Sequence, residues 1–442
     1  MRGKPMDAPY QFAGLQRAKE PGLSVEECAR RIHRIAYVEE RLMFLQAAHI
    51  VTTPQRDLKG LLSRLQYEDG LHSDLLKNRL TELRVSRSKV LGVPDERLKV
   101  VLDEAMHSDG SVELLAALVK VIKPALLEVY CDYLRQTNGL ADYESVRLMR
   151  TIVAEEDQAL CLLEAAYGDI VRSAEEEESA GAWAAKLGRM LEEAGGIAGG
   201  AAKQAGSIQA VRSRRPYKVG RRPKRDDTFS SVWDFIHVDE DRVPERLAQM
   251  IATRLGEITI AEALAIVLLE VEGQPWSFYV AISRHMWDEM RHSLFGEAAA
   301  EQVYGDRAAL PLRDFEIEYL FEMTPLELYA MLGIGVEAAL MKYPPGKRAE
   351  YEFCRDQARH PLMTTFQDFD WADEVEHVQI ARRQLKEWFA GGSEELAELS
   401  ERGMQFRART RKLHPPSPMP NLPSRPERVS PQDSCTSNMD EE

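Results

Sequence analysis

The sequence predicts an all-α protein made of two helical units joined by a linker. Three observations carry that reading. Long stretches repeat their apolar residues at the period of a helix, and alternating β-branched runs are few. Stop signals such as Ser108-Asp109-Gly110, Gly273 and Pro344-Pro345 separate those stretches. Between residues 173 and 227 the composition changes, from an acidic run at 175–178, through a Gly/Ala-rich segment, to eight basic residues among the fourteen of 212–225.

Taken in order, the first unit spans residues 24–172. Ser24 with Glu27 three residues later reads as a capping box that opens a helix running to about 50. Pro54 stands near the start of a second long helix, to about 89, and a shorter one follows Pro94. Two more are expected over 111–135 and 141–172. The linker, 173–227, has room for one helix near 182–194. Its basic part is expected to lie on an acidic surface of its own protein, with an anionic partner as the alternative. The second unit, 228–392, has a first helix over 244–272, stopped by Gly273, and a second over 275–304, opened by Pro275. A third runs over 325–344 and a fourth over 364–389. Residues 393–442 read as a short charged helix and then a Pro/Ser-rich tail from His414, expected to be disordered.

At 442 residues, 44% of them hydrophobic, the chain can build two or three domains with real cores. A net charge of −15 argues against general nucleic-acid binding. No run of 18 apolar residues suggests a membrane span, and residues 1–22 lack the apolar stretch of a signal peptide. Cys28, Cys131, Cys161, Cys354 and Cys435 are odd in number and form no C-x-x-C pair, so a reduced, cytoplasmic protein is expected.

The second unit carries the most specific pattern. Asp288-Glu289-Met290-Arg291-His292 and Asp373-Glu374-Val375-Glu376-His377 both read D-E-x-x-H. Residues i and i+3 share a helix face, so Glu289 with His292, and Glu374 with His377, can each approach one metal. A glutamate from each of two further helices completes the inventory of a two-metal site inside a bundle. Glu337, among small and apolar neighbours in mid-helix, is one. Burying it without a partner would be costly. The other is Glu257, which hairpin pairing places level with Glu289. Glu262, which shares the apolar stripe of Ile251, Leu255, Ile258, Ile266 and Leu269, is the runner-up. A third match, Asp103-Glu104-Ala105-Met106-His107, ends at a helix stop and is assigned to ordinary ion pairing.

This arrangement resembles the ferritin-like di-iron carboxylate superfamily, whose oxygenases and oxidases show a glutamate, about thirty residues, D-E-x-R-H, and the pattern again. Here thirty residues separate Glu257 from Asp288, and thirty-five separate Glu337 from Asp373. The resemblance implies a ferritin-like four-helix bundle binding two iron ions, with manganese as the alternative. It implies that Glu257, Glu289 and His292 hold one side of the cluster and Glu337, Glu374 and His377 the other, with one or two glutamates bridging. It further implies that Asp288 orients His377 and Asp373 orients His292. The second motif departs from the pattern, with Glu376 where an arginine is usual, which bears on the subgroup rather than the metals.

The first unit reads as a worn copy of such a bundle. Asp69 and His72 occupy the motif position of its second helix. Laying residues 112–118 on 326–332 puts Lys123 at the place of Glu337, and Glu155 and Gln158 fall at those of Glu374 and His377. A lysine there opposes a second metal, so a structural, gating or pairing role is expected. A single-metal site from Glu40, Asp69, His72 and Glu155 is the alternative. Trp287 and Trp371 flank the motifs and are expected to be core. Tyr279, Tyr319 and Tyr329 are candidate redox tyrosines, and His285 is expected to pack or to support a ligand rather than to be one.

The function expected from the resemblance is a non-haem di-iron oxidase or oxygenase that uses dioxygen to oxidise a small organic substrate. An external electron donor is expected, because no flavin, iron–sulfur or phosphate-loop signature is present. A homodimer stays open. The rival readings are a ferroxidase or iron-handling stress protein, a di-manganese catalase, and a non-enzymatic helical scaffold.

Overall fold

The computed structural model describes residues 13–15, 18–200, 208–239, 241–314, 322–388, 392–414 and 416–418. The chain is all-α. The strands among the described residues are a two-residue parallel pair, β1 (Ser231–Val232) with β2 (Leu312–Arg313). No helix of the described residues is long and apolar enough to cross a membrane. The four described cysteines are free thiols, and Cys435 lies outside the described residues, as does most of the tail beyond His414.

Contacts divide the chain into two compact units, and each is discontinuous in sequence. One comprises Met1–Arg225 with Ala261–Trp287, the other Asp226–Ile260 with Asp288–Glu442.

The first unit opens with α1 (Val25–Ile50) and α2 (Arg56–Glu82). The Ser24 hydroxyl accepts from the Glu27 amide, as a helix cap should, but the Glu27 carboxylate is spent on Arg30 and Arg31 rather than reaching back. The second helix stops at Glu82, short of the expected 89, because Arg84 takes a left-handed conformation with φ 69° and turns the chain. After α3 (Glu96–Met106) comes α4 (Gly110–Ala117), which runs through a π-helical stretch (Leu118–Ile122) into α5 (Lys123–Gln136). Then follow α6 (Tyr143–Ile170) and α7 (Ala174–Glu193). The last is longer than expected, because Ser173 and Glu176 form a complete capping box nine residues earlier than the apolar pattern suggests. It docks by the Trp183 indole, which donates to Ser108 at 3.0 Å. The basic stretch behind it lies on carboxylates of this same unit: Arg212 on Glu113, Arg221 on Glu270 and Arg225 on Glu262.

The second unit contains α8 (Val243–Gly256), the start of α9 (Ile258–Glu270) and the greater part of α10 (Trp276–Tyr304). The expected continuous helix over 244–272 is interrupted at Glu257. Its third helix is α11 (Pro325–Ala330), capped by a Thr324/Glu327 box and followed by a π-helical stretch (Met331–Glu337) and one short turn (Ala338–Leu340). Then come α12 (Lys347–Glu352), a second π-helical stretch (Phe353–Gln357), α13 (Pro361–Trp388) and α14 (Gly392–Leu413). Leu247, Ile251 and Leu255, four residues apart along α8, pack with Ala299, Ala300 and Val303 of α10 as this unit's core. Gly296 permits that approach, since any Cβ there would strike the Leu255 backbone.

Candidate metal centre

Four helical segments of the second unit bring acids and imidazoles to one place. Helix α8 ends where Gly256 passes against the Arg313 carbonyl, so closely that a Cβ would sit 3.0 Å from it. The chain tightens there, the Glu257 amide bonding to the Arg254 carbonyl at 3.0 Å, and Glu257 stands at the break. Helix α10 supplies Asp288, Glu289, Arg291 and His292. The π-helical stretch ends on Glu337. Helix α13 presents Asp370, Asp373, Glu374 and His377, a stripe of spacing i, i+3, i+4 and i+7.

The two motifs are tied crosswise. Nε2 of His292 lies 3.1 Å from Asp373, and Nε2 of His377 lies 3.3 Å from Asp288. Each aspartate can accept the outer imidazole N–H, which turns Nδ1 inward, where its lone pair can bind a metal when the ring is neutral. His292 Nδ1 lies 3.6 Å from Glu257 and 3.4 Å from Asp370, and His377 Nδ1 lies 3.5 Å from Glu289. Potential ligand atoms of Glu257, His292, Asp370 and Glu374 lie within 4.8 Å of one another, and the same holds for Glu289, Glu337 and His377. The histidines thus group by helix partner rather than by motif: His292 with Glu374, and His377 with Glu289. Arg291 joins the crosswise pair, reaching Asp288 at 2.5 Å and Asp373 at 2.8 Å. One arginine serves both motifs. The other motif's Glu376 turns out to Arg383 at 2.8 Å.

The runner-up, Glu262, is fully buried but belongs to the other unit, where it pairs with Lys59 at 2.5 Å and with Arg225. The stripe correctly marked it as buried. It did not show that two cations wait for it. Tyr329 is buried beside Glu337, and both burial and that charge push its hydroxyl far above the ordinary tyrosine range. Tyr279 donates to the Val271 carbonyl at 3.0 Å in the first unit, and Tyr319 lies outside the described residues.

Three residues of the site were not foreseen. Asp370 sits one turn ahead of Glu374, and its spacing could have revealed it. Lys347 reaches Asp370 and Glu374, each at 2.9 Å, and Arg254 bonds to Asp370 and, at 3.0 Å, to Glu257. Nothing in helical periodicity points to Lys347, which enters from the turn after the Pro-Pro pair. Burial pushes the Glu257 carboxyl up to about 8, against the pull of Arg254 and Lys347. Burial opposes protonation of His292, yet Asp370, Asp373 and Glu257 raise its imidazole to about 9. Burial also lifts Glu374, while Arg254 and Lys347 outweigh burial at Asp370 and hold it low.

A cavity of about 640 Å³ opens on this cluster, with Glu257, Glu289, Glu337 and Glu374 in its wall. Comparison with family models, with curated proteins and with solved structures finds no match. The site is therefore judged on its own chemistry. Five buried carboxylates face two fixed cations, an excess of negative charge that the raised Glu257 and His292 offset by holding protons while no metal is bound. Buried Oε2 atoms of Glu257 and Glu374 and Nδ1 of His292 make no hydrogen bond. Mixed carboxylate and imidazole donors with charge to spare fit divalent transition metals.

The first unit holds a second buried group, of Glu39, Asp69, His72 and Glu156. Its centre is taken by the Lys123 ammonium, 2.7 Å from Asp69 and 2.8 Å from Glu156. Those charges, against the cost of burial, hold the Lys123 ammonium protonated far above its ordinary range. Glu39 replaces the expected Glu40, which pairs with Lys77 instead, and Glu156 is the inner carboxylate while the half-exposed Glu155 bonds to His72 Nε2 at 2.8 Å. Each is a one-residue error, which on a helix turns a side chain by about 100°. The Asp103–His107 match makes ordinary pairs: Asp103 with Arg41, and Glu104 with Lys186 and the backbone amides of residues 211–213.

Proposed function

We propose that this chain is a non-haem di-iron oxidoreductase of ferritin-like type that oxidises a small organic substrate with dioxygen, its centre lying in the second unit. The observation that carries the reading is the crosswise pairing of Asp288 with His377 and of Asp373 with His292, which turns both inner imidazole nitrogens onto buried glutamates beside a cavity. Glu257, His292 and Glu374 would hold one ion and Glu289, Glu337 and His377 the other. Two bound ferrous ions would supply the reduction of dioxygen and the oxidising power, and an external donor would restore them. The protein's own work is positioning. Asp288, Asp373 and Arg291 fix the imidazole tautomers. Leu332, Val336 and Leu340 give the cavity an apolar wall beside the cluster. A cavity of this size favours an organic substrate over iron storage. The first unit is read as a duplicate bundle in which Lys123 replaced metal.

Elemental analysis of protein grown with iron tests this. The wild type should carry about two irons per chain, and Glu289→Ala and His377→Ala should each lose most of them. Protein free of metal after gentle purification, with unchanged folding in chelator and no uptake of ferrous ion, would leave only a helical scaffold.

A further inference from the structure

The basic segment of the linker is fastened to the first unit along its length. Nε2 of His107 lies 3.0 Å from the Arg215 carbonyl. The Tyr217 hydroxyl donates to the Ala48 carbonyl, near the end of α1, at 2.9 Å. The Lys224 amide donates to the Val51 carbonyl, and the Lys59 ammonium to the Lys224 carbonyl, each at 2.9 Å. Val219 is buried, and Gly220 passes so close to Thr52 that a Cβ would strike its methyl. All these partners lie in the one unit. The chain from Arg214 to Lys224 is therefore held in place, and ten residues of extended chain reach at most roughly 33 Å.

The eight cations of this segment are of two kinds. Arg212, Arg221 and Arg225 meet Glu113, Glu270 and Glu262. Arg214, Arg215, Lys218, Arg222 and Lys224 are exposed, and none of the five makes an ion pair with a described carboxylate. Arg214 bonds to the Ala210 carbonyl at 2.8 Å instead. Lys218 shares the wall of a small cavity with Glu270 and Glu272, but Glu270 is already engaged by Arg221 and Glu272 is exposed. The paired arginines and the tyrosine thus anchor the segment, and the other five cations are left to solvent. Neighbouring like charges repel one another. Solubility does not require them in a chain of net charge −15. Holding them on a fixed backbone beforehand lowers the ordering cost of binding an anion.

We propose that this strip is a docking surface for an acidic segment of another protein. The inference stands apart from the oxidoreductase reading and needs no metal. A nucleic acid fits less well. Its charge repeats far beyond the strip, whereas this chain turns acidic at once, at Asp226 and Asp227, and carries an overall excess of acids. Bases would also find no free ring to stack on, because Tyr217 is half-buried against His49 and His107. A bilayer surface fits less well too, because residues 212–225 expose no large apolar side chain to enter it.

The test uses the full chain and a fluorescein-labelled dodecapeptide of alternating glutamate and serine, read by anisotropy. The peptide should bind at about 50 mM salt and about tenfold more weakly at about 300 mM, where screening is stronger. The same peptide with glutamine for glutamate should not bind. One exposed ion pair is worth up to about fivefold, so Lys218→Gln, Arg222→Gln and Lys224→Gln combined should weaken binding about tenfold or more. A control triple, Lys89→Gln, Arg150→Gln and Arg189→Gln, removes the same charge from exposed sites elsewhere in the first unit. It should leave the affinity within about twofold, with helical content of both triples checked by circular dichroism. No binding at the lower salt, or equal losses in the two triples, would overturn the proposal. So would tighter binding of a twelve-nucleotide oligothymidine or of phosphatidylserine vesicles, which would assign the strip to nucleic acid or to a membrane.

Discussion

Two side chains of the first unit show how burial decides what a charge does. Lys123 is fully buried among Asp69, Glu156 and, through the shared field, Glu39. Lys123→Met would strip these carboxylates of their cation, and removing one partner of such a group costs about 3–5 kcal/mol. Denaturant unfolding at neutral pH should show that loss, and adding a divalent ion such as manganese should recover part of it if the ammonium stands where a metal could. His49 is buried too, with Nε2 donating to the Met106 carbonyl at 3.1 Å, and burial lowers its imidazole to about 4. The unfolded chain would protonate it near 6.5, so below that pH the unfolded state binds the extra proton. Its contribution is complete above pH 6.5 and is lost as pH falls toward 4, by about 3 kcal/mol. A plot of unfolding free energy against pH should be shallower over that window in His49→Gln, which keeps a donor and cannot titrate.

Helix α4 of the first unit and α11 of the second carry the same irregularity. Each winds into a π-helical stretch just before the aligned position, Leu118–Ile122 ahead of Lys123 and Met331–Glu337 ending on Glu337. Such bulges cluster at functional sites, and the extra residue swings a side chain that a regular helix would aim elsewhere. Gly333 lies inside the second bulge against Ala381 of α13, where any Cβ would collide with the alanine methyl. Gly333→Ala should therefore cost about 1–3 kcal/mol by overpacking and weaken metal binding, read by thermal melts with and without metal. Helical spans and the D-E-x-x-H pairs were legible because period and spacing are local, whereas the crossed aspartates followed only from the family resemblance. The break at Glu257 was not, since it depends on Gly256 meeting a distant carbonyl. Lys347 and Arg254 were invisible as cluster members because an isolated cation carries no partner's address, and the inner glutamates of the first unit were misplaced by one residue for want of a depth signal.

The two units are interleaved along the chain rather than placed end to end. The segment Ala261–Trp287 belongs to the first, where Glu262 meets Lys59, Gln66 donates to the Ser283 carbonyl at 2.8 Å, and the Trp276 ring lies under Lys77. A fragment ending at Arg225 should consequently be poorly soluble or molten, and appending residues 261–287 through a short linker should restore a cooperative melt. A sharp transition in the shorter fragment would refute this. The same interleaving sets a timetable for synthesis. The first unit's last piece is translated about sixty residues after Arg225, a wait of roughly 3–12 s at ordinary elongation rates. During that interval the buried Lys59 lacks its Glu262 counter-charge, so the nascent chain is exposed to chaperones and proteases until the hairpin emerges.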